Sequence, residues 1–309
     1  MSSKQPLFLN EEQVREHLRM ADLIPAMEKA LIDFSEGKVT QPVRSVINID
    51  PPGGFLGLMP ALTPHGLGLK AVTFYPSNAG RGIPTHMATI FLIDPQTGTP
   101  LAIMDGRLIT EMRTAAVSAA ATKLLAAPDS KVLAILGSGV QARSHAEALR
   151  LVRNFEEIRV WSPMSEHAKQ FAEEIGAIAV SAEEAVRGAD VVVTVTNSKK
   201  PVLKGSWLKA GCHVNAIGAC RPDWRELDDE AMTNVVFVDS REGAMKESGD
   251  IILSGAKIYA ELGEALAGKI PARSNETIVF KSLGMAVEDI ATAMLVYRAF
   301  TKGPRPSIR

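Results

Sequence analysis

Cysteine is scarce, and the spacings that would give it a metal or disulfide role are missing. Cys212 and Cys220 are the only two, too few for a disulfide framework and wrongly spaced for a metal site. The six histidines are scattered, with no His-x-x-x-His pair, so no metal centre is expected. Runs of like charge are also lacking: 34 basic and 35 acidic side chains leave a formal net charge of −1. That removes the basic face that nucleic acid or an anionic membrane would require. No stretch of 18 apolar residues occurs, and the opening Met-Ser-Ser-Lys-Gln-Pro lacks the apolar core of a secretory signal. A cytoplasmic location is the expectation. Neither an internal repeat nor a low-complexity segment is evident. The 309 residues, 46% hydrophobic and 22% charged, suffice for two domains with a substantial core.

What is present centres on residues 131–142. An apolar run, Val132 to Leu136, meets Gly137-Ser138-Gly139-Val140-Gln141-Ala142, and helical sequence continues to about Arg153. This strand, Gly-x-Gly-x-x-Ala turn and helix is the order that holds a dinucleotide pyrophosphate. Gly137 permits the tight turn, Gly139 lets backbone N–H groups approach the phosphates, and Ala142 lets the helix pack close to the strand. The helix N-terminus adds partial positive charge and unpaired donors.

The first hundred residues have a different rhythm. Residues 8–36 read as helical, with Asn10 as N-cap before Glu11-Glu12 and Ile24, Met27, Leu31 and Phe34 at helical spacing. Residues 41–50, 55–60, 67–75, 85–93 and 100–104 read as strands separated by Pro/Gly-rich turns, implying an antiparallel or mixed sheet. An Ala-rich helix is expected from about residue 113 to just before Pro128. Strands and helices then alternate: strands at 131–136, 158–161, 177–180, 190–195, 212–217, 235–238 and 277–281 predict a parallel sheet covered on both faces. A last helix, roughly 284–300, can return to the first domain.

Three cations stand out. Lys70 shares a strand face with Val72 and Phe74, so it either marks an edge strand or is held for chemistry. Arg113 falls just before or in the first turn of the Ala-rich helix, where the macrodipole disfavours a cation unless an anion is bound there; a solvated boundary arginine is the plainer alternative. Arg44 lies in a strand that can carry an exposed arginine. Together the three suggest a clamp for a small carboxylate. After the second strand of the nucleotide unit the chain reads Trp161-Ser162-Pro163-Met164-Ser165, with no acid before Glu166. A carboxylate there would repel a 2′-phosphate. Its absence leans toward NADPH, with Ser162 and Ser165 as the available hydroxyls, and leaves NADH open. Cys220 has no nearby histidine and reads as a small pocket-lining residue.

Five stretches carry a family resemblance: 41–44 (Gln-Pro-Val-Arg), 113–118 (Arg-Thr-Ala-Ala-Val-Ser), 137–142, 221–228 (Arg-Pro-Asp-Trp-Arg-Glu-Leu-Asp) and 281–289 (Lys-Ser-Leu-Gly-Met-Ala-Val-Glu-Asp). The chain resembles the ornithine cyclodeaminase/mu-crystallin family over nearly its whole length, and most closely its mu-crystallin, ketimine-reductase branch. The resemblance implies an α/β protein with a Rossmann-type, doubly wound parallel sheet over 119–283. It also implies an α+β substrate-binding and dimerisation domain built from 1–118 with 284–309, a homodimer, and an active site in the cleft between domains. Arg44, Lys70 and Arg113 match the family's substrate-binding cations, and Glu247 and Ser282 fall where the mu-crystallin branch lines the same pocket. Gly137, Ser138, Gly139, Val140 and Gln141 match the pyrophosphate turn, while Thr114, Thr194, Ile217 and Cys220 fall in the cofactor's surroundings.

Two departures from the family pattern bear on activity. True ornithine cyclodeaminases carry an aspartate where this chain has Cys220, and without it the cyclisation chemistry lacks its acid/base; the mu-crystallin branch lacks it too. Mu-crystallin has Asn-Arg-Thr where this chain has Ser162-Pro163-Met164, which weakens any transfer of NADPH preference. The leading expectation is NAD(P)H-dependent reduction of a small, cyclic or acyclic, ketimine carboxylate to an amino acid. Arg44 and Arg113 would hold the carboxylate and Lys70 the imine region. The alternatives are an alanine-dehydrogenase-like reductive amination and a nucleotide-dependent thyroid-hormone-binding or storage protein.

Overall fold

The computed structural model describes residues 5–272 and 276–302; residues 1–4 and 303–309 of the expected first domain and 273–275 of the second lie outside them. The chain divides into two compact units, Met1–Arg113 with Met285–Arg309, and Thr114–Gly284.

The first unit opens with β1 (Leu7–Leu9), α1 (Glu11–His17) and α2 (Met20–Ser35). The sequence reading ran these together as helix from residue 8, and the structure corrects it. Residues 7–9 pair in parallel with a later strand, and the helix is interrupted where Leu18 and Arg19 turn extended. The Asn10 cap is present: its side chain accepts from Gln13 N–H while the Gln13 side chain reaches back to Asn10 N–H.

Five strands follow: β2 (Ser45–Ile49), β3 (Gly54–Thr63), β4 (Gly66–Phe74), β5 (His86–Ile93) and β6 (Pro100–Asp105). They form a mixed sheet in the order β1-β6-β5-β4-β3-β2. Local chemistry sets the turns. The Thr63 hydroxyl accepts from His65 and Gly66 N–H, and the Asp94 carboxylate accepts from Gln96 N–H and the Thr97 hydroxyl, with Gly98 at φ 71° closing the hairpin.

Helix α3 (Arg107–Leu125) starts six residues earlier than the Ala-rich run suggested, with the Asp105 carboxylate accepting from Arg107 N–H. The boundary between the two units falls inside this helix. The second unit contains β7 (Val132–Leu136), α4 (Val140–Arg150), β8 (Glu157–Trp161), α5 (Ser165–Ile175), β9 (Ile178–Ala179), α6 (Ala182–Val186), β10 (Val191–Thr194), β11 (His213–Ala216) and β12 (Val235–Val238). It continues through α7 (Arg241–Glu247), α8 (Gly249–Ser254), β13 (Ile258–Glu261), α9 (Leu262–Leu266) and β14 (Ile278–Lys281). Its eight strands are parallel throughout, in the order β13-β12-β14-β11-β10-β7-β8-β9. Strands covered on both faces read as unbroken apolar runs, and Leu133 to Leu136 and Val191 to Val193 are fully buried. β13, Ile-Tyr-Ala-Glu, escaped the sequence reading because it lacks the unbroken apolar run of the inner strands and ends in Glu261. The expected α/β architecture with a doubly wound parallel sheet is borne out. Chain order reverses beside β7, where β8 continues to one side and β10 to the other, which opens the crevice at the carboxyl ends of these strands.

The chain then returns to the first unit as α10 (Ala286–Thr301). Its contact with the sheet depends on two glycines of β4. A Cβ on Gly66 would lie 2.8 Å from Met294 Cγ, and one on Gly68 would lie 2.5 Å from Ile290 Cδ1 and 2.4 Å from the Phe91 carbonyl. Among the described residues, no helix is long and apolar enough to cross a membrane. Gly68→Ala should therefore destabilise the fold by about 1–3 kcal/mol, the usual effect of overpacking. Equilibrium denaturation reads this, and a stability equal to the parent's would contradict the close approach of α10 to β4.

Candidate functional site

In the first unit, strand register places Lys70 beside Met59 of β3 and Ile90 of β5, on an inner strand of the sheet. The edge-strand reading of Lys70 is thus removed: its residue is 1% exposed. Its Nζ lies 2.6 Å from Asp289 Oδ2. Arg113 Nε donates to Asp289 Oδ1 at 3.0 Å and its Nη1 to Glu288 Oε2 at 2.9 Å. One carboxylate thus bridges two cations, and all four side chains are buried.

Arg113 is neither a boundary residue nor in the first turn of α3: it sits nearly two turns inside the helix, and two carboxylates of the chain, in place of an anion bound at the helix N-terminus, answer its charge. Those carboxylates occupy the first turn of α10, where acids also suit the helix dipole. The Gln41 side chain accepts from Val287 N–H at 2.8 Å, so the 41–44 stretch anchors the helix end that presents Glu288 and Asp289. Arg44 directly precedes β2. Its charge acts on Lys70.

Electrostatics follow from this crowding. Burial pushes the Lys70 ammonium down; Asp289 opposes, while Arg113 and Arg44 push it further, to about 8. Lys70 therefore holds its proton at neutral pH and gives it up just above. Burial works against the Asp289 carboxylate, but Lys70 and Arg113 outweigh it and hold its pKa below the usual range.

Sequence reasoning missed Glu288 and Asp289 as members of this cluster, because paired acids in a first helical turn pass for ordinary dipole and capping residues. It also missed His86, which pairs with Phe74 across β4 and β5 and so shares the face of Lys70. Burial lowers its pKa first, Lys70 and Arg113 add to this against Asp289, and the result is about 4, a neutral imidazole near pH 7. Carrying the alternation of β4 across the hairpin would have exposed it.

In the second unit, the turn after β7 has the features a pyrophosphate needs. Gly137 adopts φ 130°, and a Cβ there would lie 2.7 Å from the Val195 carbonyl. Gly139 caps α4 without any side-chain hydrogen bond, and a Cβ on it would meet nothing within 4 Å. The start of α4 therefore has no side-chain cap, and the space beside Gly139 is open. Ala142 is fully buried against the sheet, and the buried side-chain oxygen of Gln141 has no hydrogen-bond partner. The residues fit a dinucleotide. The Ser138 hydroxyl donates to the Ser162 hydroxyl at 2.9 Å, joining this turn to the end of β8. Val140 is exposed, as is Ser165 at the start of α5.

Thr194 and Ile217 stand at the ends of the neighbouring strands β10 and β11, and Ile217 N–H donates to the Thr194 carbonyl. The half-buried Cys220 follows on the same loop with a free thiol. Thr114, adjoining Arg113 in α3, is buried. The Ser282 hydroxyl donates to Asp239 Oδ2 at 3.1 Å, and Glu247 closes α7 half-buried. Among the described residues, no cluster of His, Cys, Asp or Glu could hold a metal ion.

The model of the ornithine cyclodeaminase/mu-crystallin family matches residues 4–303. The chain belongs to this family. It is 52% identical over 308 residues to the mouse (Mus musculus) ketimine reductase mu-crystallin, covering 96% of this chain and 98% of that one. Among solved structures it is similar to the Thermococcus litoralis Δ1-pyrroline-2-carboxylate reductase in complex with NADH and L-proline. There the TM-score is 0.92 at 38% identity, over 96% of this chain and 98% of that chain. An archaeal alanine dehydrogenase dimer with bound NAD superposes with a TM-score of 0.91 at 36% identity, over 98% and 99% of the two chains.

The open surroundings of Gly139 give a test that separates binding from folding. Gly139→Asp supplies α4 with a side-chain cap, so stability should stay level or rise by a few tenths of a kcal/mol. The same carboxylate meets a pyrophosphate head-on, so affinity for NADH and NADPH should fall roughly a hundredfold or more. Thermal unfolding and fluorescence titration measure the two, and undiminished affinity would remove this turn as the phosphate site.

Proposed function

We propose that the protein is an NAD(P)H-dependent reductase of small ketimine carboxylates, cyclic or acyclic, which it converts to amino acids. The observation that carries this is the buried Lys70–Asp289–Arg113 cluster with Arg44 beside it. It offers a lysine able to give up a proton near neutral pH, set among arginines suited to a carboxylate. Relatives that act on C=N bonds, such as the mouse ketimine reductase and the archaeal pyrroline-2-carboxylate reductase, support the reading.

Residues 1–118 with 284–309 form the substrate-binding and dimerisation domain in this reading, and 119–283 the dinucleotide domain. Arg44 and Arg113 hold the substrate carboxylate and so fix the imine carbon. Lys70 Nζ donates a proton to the imine nitrogen, which makes the carbon a better hydride acceptor, and Asp289 keeps the ammonium aimed and charged. Glu247 and Ser282 complete the pocket wall. The dinucleotide, when bound, supplies the hydride. Gly137 to Gln141 hold its pyrophosphate; Thr114, Ser162, Ser165, Thr194, Ile217 and Cys220 surround the rest. With Ser162 where a carboxylate would repel a 2′-phosphate, NADPH is accepted along with NADH. Cys220, in place of the cyclodeaminase aspartate, argues against ornithine cyclisation.

The protein works as a homodimer, as the archaeal alanine dehydrogenase does, and two unpaired cysteines suit a cytoplasmic location. That same relative keeps reductive amination of a keto acid as the second reading. A panel of cyclic ketimine carboxylates, and separately pyruvate with ammonia, each offered with NADH and with NADPH, decides between them. Turnover confined to pyruvate and ammonia would give the second reading precedence.

Two outcomes bear on the lysine. Lys70→Met should keep the fold and NAD(P)H affinity yet lower kcat by about 10²–10⁴-fold, with no rescue by Lys70→Arg, since a guanidinium does not cycle a proton. Because the ammonium is the working form and its pKa is about 8, kcat/KM should be level below that pH and fall as pH rises through it. A Lys70→Met enzyme of near-parental kcat would take lysine out of the mechanism.

A further inference from the structure

The 221–228 stretch is distinctive in the sequence, yet the function above gives it no role. In the structure it delivers Glu226 to the carboxyl ends of β10 and β11, fully buried. Its Oε1 accepts from the N–H and hydroxyl of Thr196 at 2.6 and 2.7 Å. Its Oε2 accepts from the Thr194 hydroxyl at 2.8 Å and from Gly218 N–H at 2.7 Å. One side chain thus ties together the two loops that follow these strands. The fit has no slack: a Cβ on Gly218 would lie 2.0 Å from the Thr196 carbonyl and 2.6 Å from Glu226 Oε1.

Behind it stand a second carboxylate and one ammonium. Asp250 Oδ1 accepts from the N–H groups of Glu226 and Leu227 at 2.8 and 3.1 Å, and Asp250 Oδ2 lies 3.1 Å from Lys281 Nζ at the end of β14. Asp250 and Lys281 are also fully buried. Burial raises the pKa of Glu226 above the ordinary value, with Lys281 opposing and Asp250 reinforcing. Two backbone N–H groups, one on each oxygen, and two hydroxyls surround the carboxylate and favour its ionised form. At their formal charges Glu226, Asp250 and Lys281 sum to one negative charge, and all three are buried, where charge acts more strongly than in water.

The carboxyl ends of these strands face the crevice where a doubly wound sheet receives its dinucleotide. Hydride donation to an iminium carbon breaks one C–H bond of the dihydronicotinamide with both its electrons. The carbon–nitrogen double bond is reduced, and the neutral ring is oxidised to a pyridinium cation. We infer that Glu226 is a positioning residue that fixes a negative charge behind the nicotinamide end of the site and so favours the oxidised, cationic ring over the reduced one. The inference rests on the reading that this unit binds NAD(P)H. A carboxylate serving only as a brace between loops would hold both redox forms of the cofactor equally.

The experiment measures binding of three probes by fluorescence and competition at pH 8: NADH, NAD⁺ and ADP-ribose, the last lacking the nicotinamide. In Glu226→Gln the ratio Kd(NAD⁺)/Kd(NADH) should rise about tenfold over the parent. For this two-electron couple that raises the bound potential by about 30 mV. The ADP-ribose Kd should not move. If Glu226→Gln does not fold, Asp250→Asn removes the same unit of charge and keeps an oxygen for the Glu226 and Leu227 N–H groups; its ratio should shift in the same direction. An unchanged ratio, or equal weakening of all three probes, overturns the inference while leaving the cofactor site intact. A parent protein that binds neither NADH nor NADPH removes the functional reading itself, and this inference with it.

Discussion

The shared carboxylate of Asp289 is the constraint on which the first unit turns. Lys70 and Arg113 come from a strand and a helix that would otherwise bury like charges side by side, and a single acid from the returning helix answers both. Such a cluster is a poor source of stability. Desolvating ions offsets most of what their attraction returns, and removing one partner typically costs about 3–5 kcal/mol because the others stay buried and unanswered. Its value is chemical. Burial holds the lysine at a pKa of about 8 while Asp289 keeps it from falling further, which leaves an ammonium that can part with its proton under ordinary conditions.

The second unit solves a different problem, presenting donors to an anion without enclosing them. Backbone does most of this. Gly137 turns where a side chain would strike the Val195 carbonyl, and Gly139 leaves the first turn of α4 uncovered. Elsewhere in the unit a buried side chain does the fixing: Glu226 holds the ends of β10 and β11 in fixed relation.

How much of this the sequence made legible depended on the range of the contact. The strand–turn–helix at 132–150 was readable because its constraints are local: a strand buried on both faces, a glycine turn and an alanine under the helix. The alternation of β2 to β6 was readable for the same reason, and Lys70 stood out by breaking it. The start of α3 was missed because the carboxylate that accepts from its first N–H, Asp105, lies upstream of the Ala-rich run. The Asp289 partnership was hidden because Arg113 and Asp289 are 176 residues apart, and no period connects them. Arg113 was thus singled out for a reason that the structure replaces. His86 and Glu226 fell between these cases, each local to its element and informative only once a neighbouring strand was in place.

The first unit is interrupted: 171 residues, Thr114–Gly284, are inserted between its sheet and its last helix. During synthesis the sheet leaves the ribosome with Lys70 and Arg113 made and their acids not yet translated. Domains emerge amino end first, at about 5–20 residues per second, so the nascent sheet waits roughly ten seconds or more for α10. Over that interval two cations destined for the interior must stay hydrated, and the glycine face of β4 stays bare. The parallel-sheet unit, one continuous segment, can condense meanwhile. Folding order is therefore written into chain order, with the lysine's chemical environment assembled last, when α10 arrives.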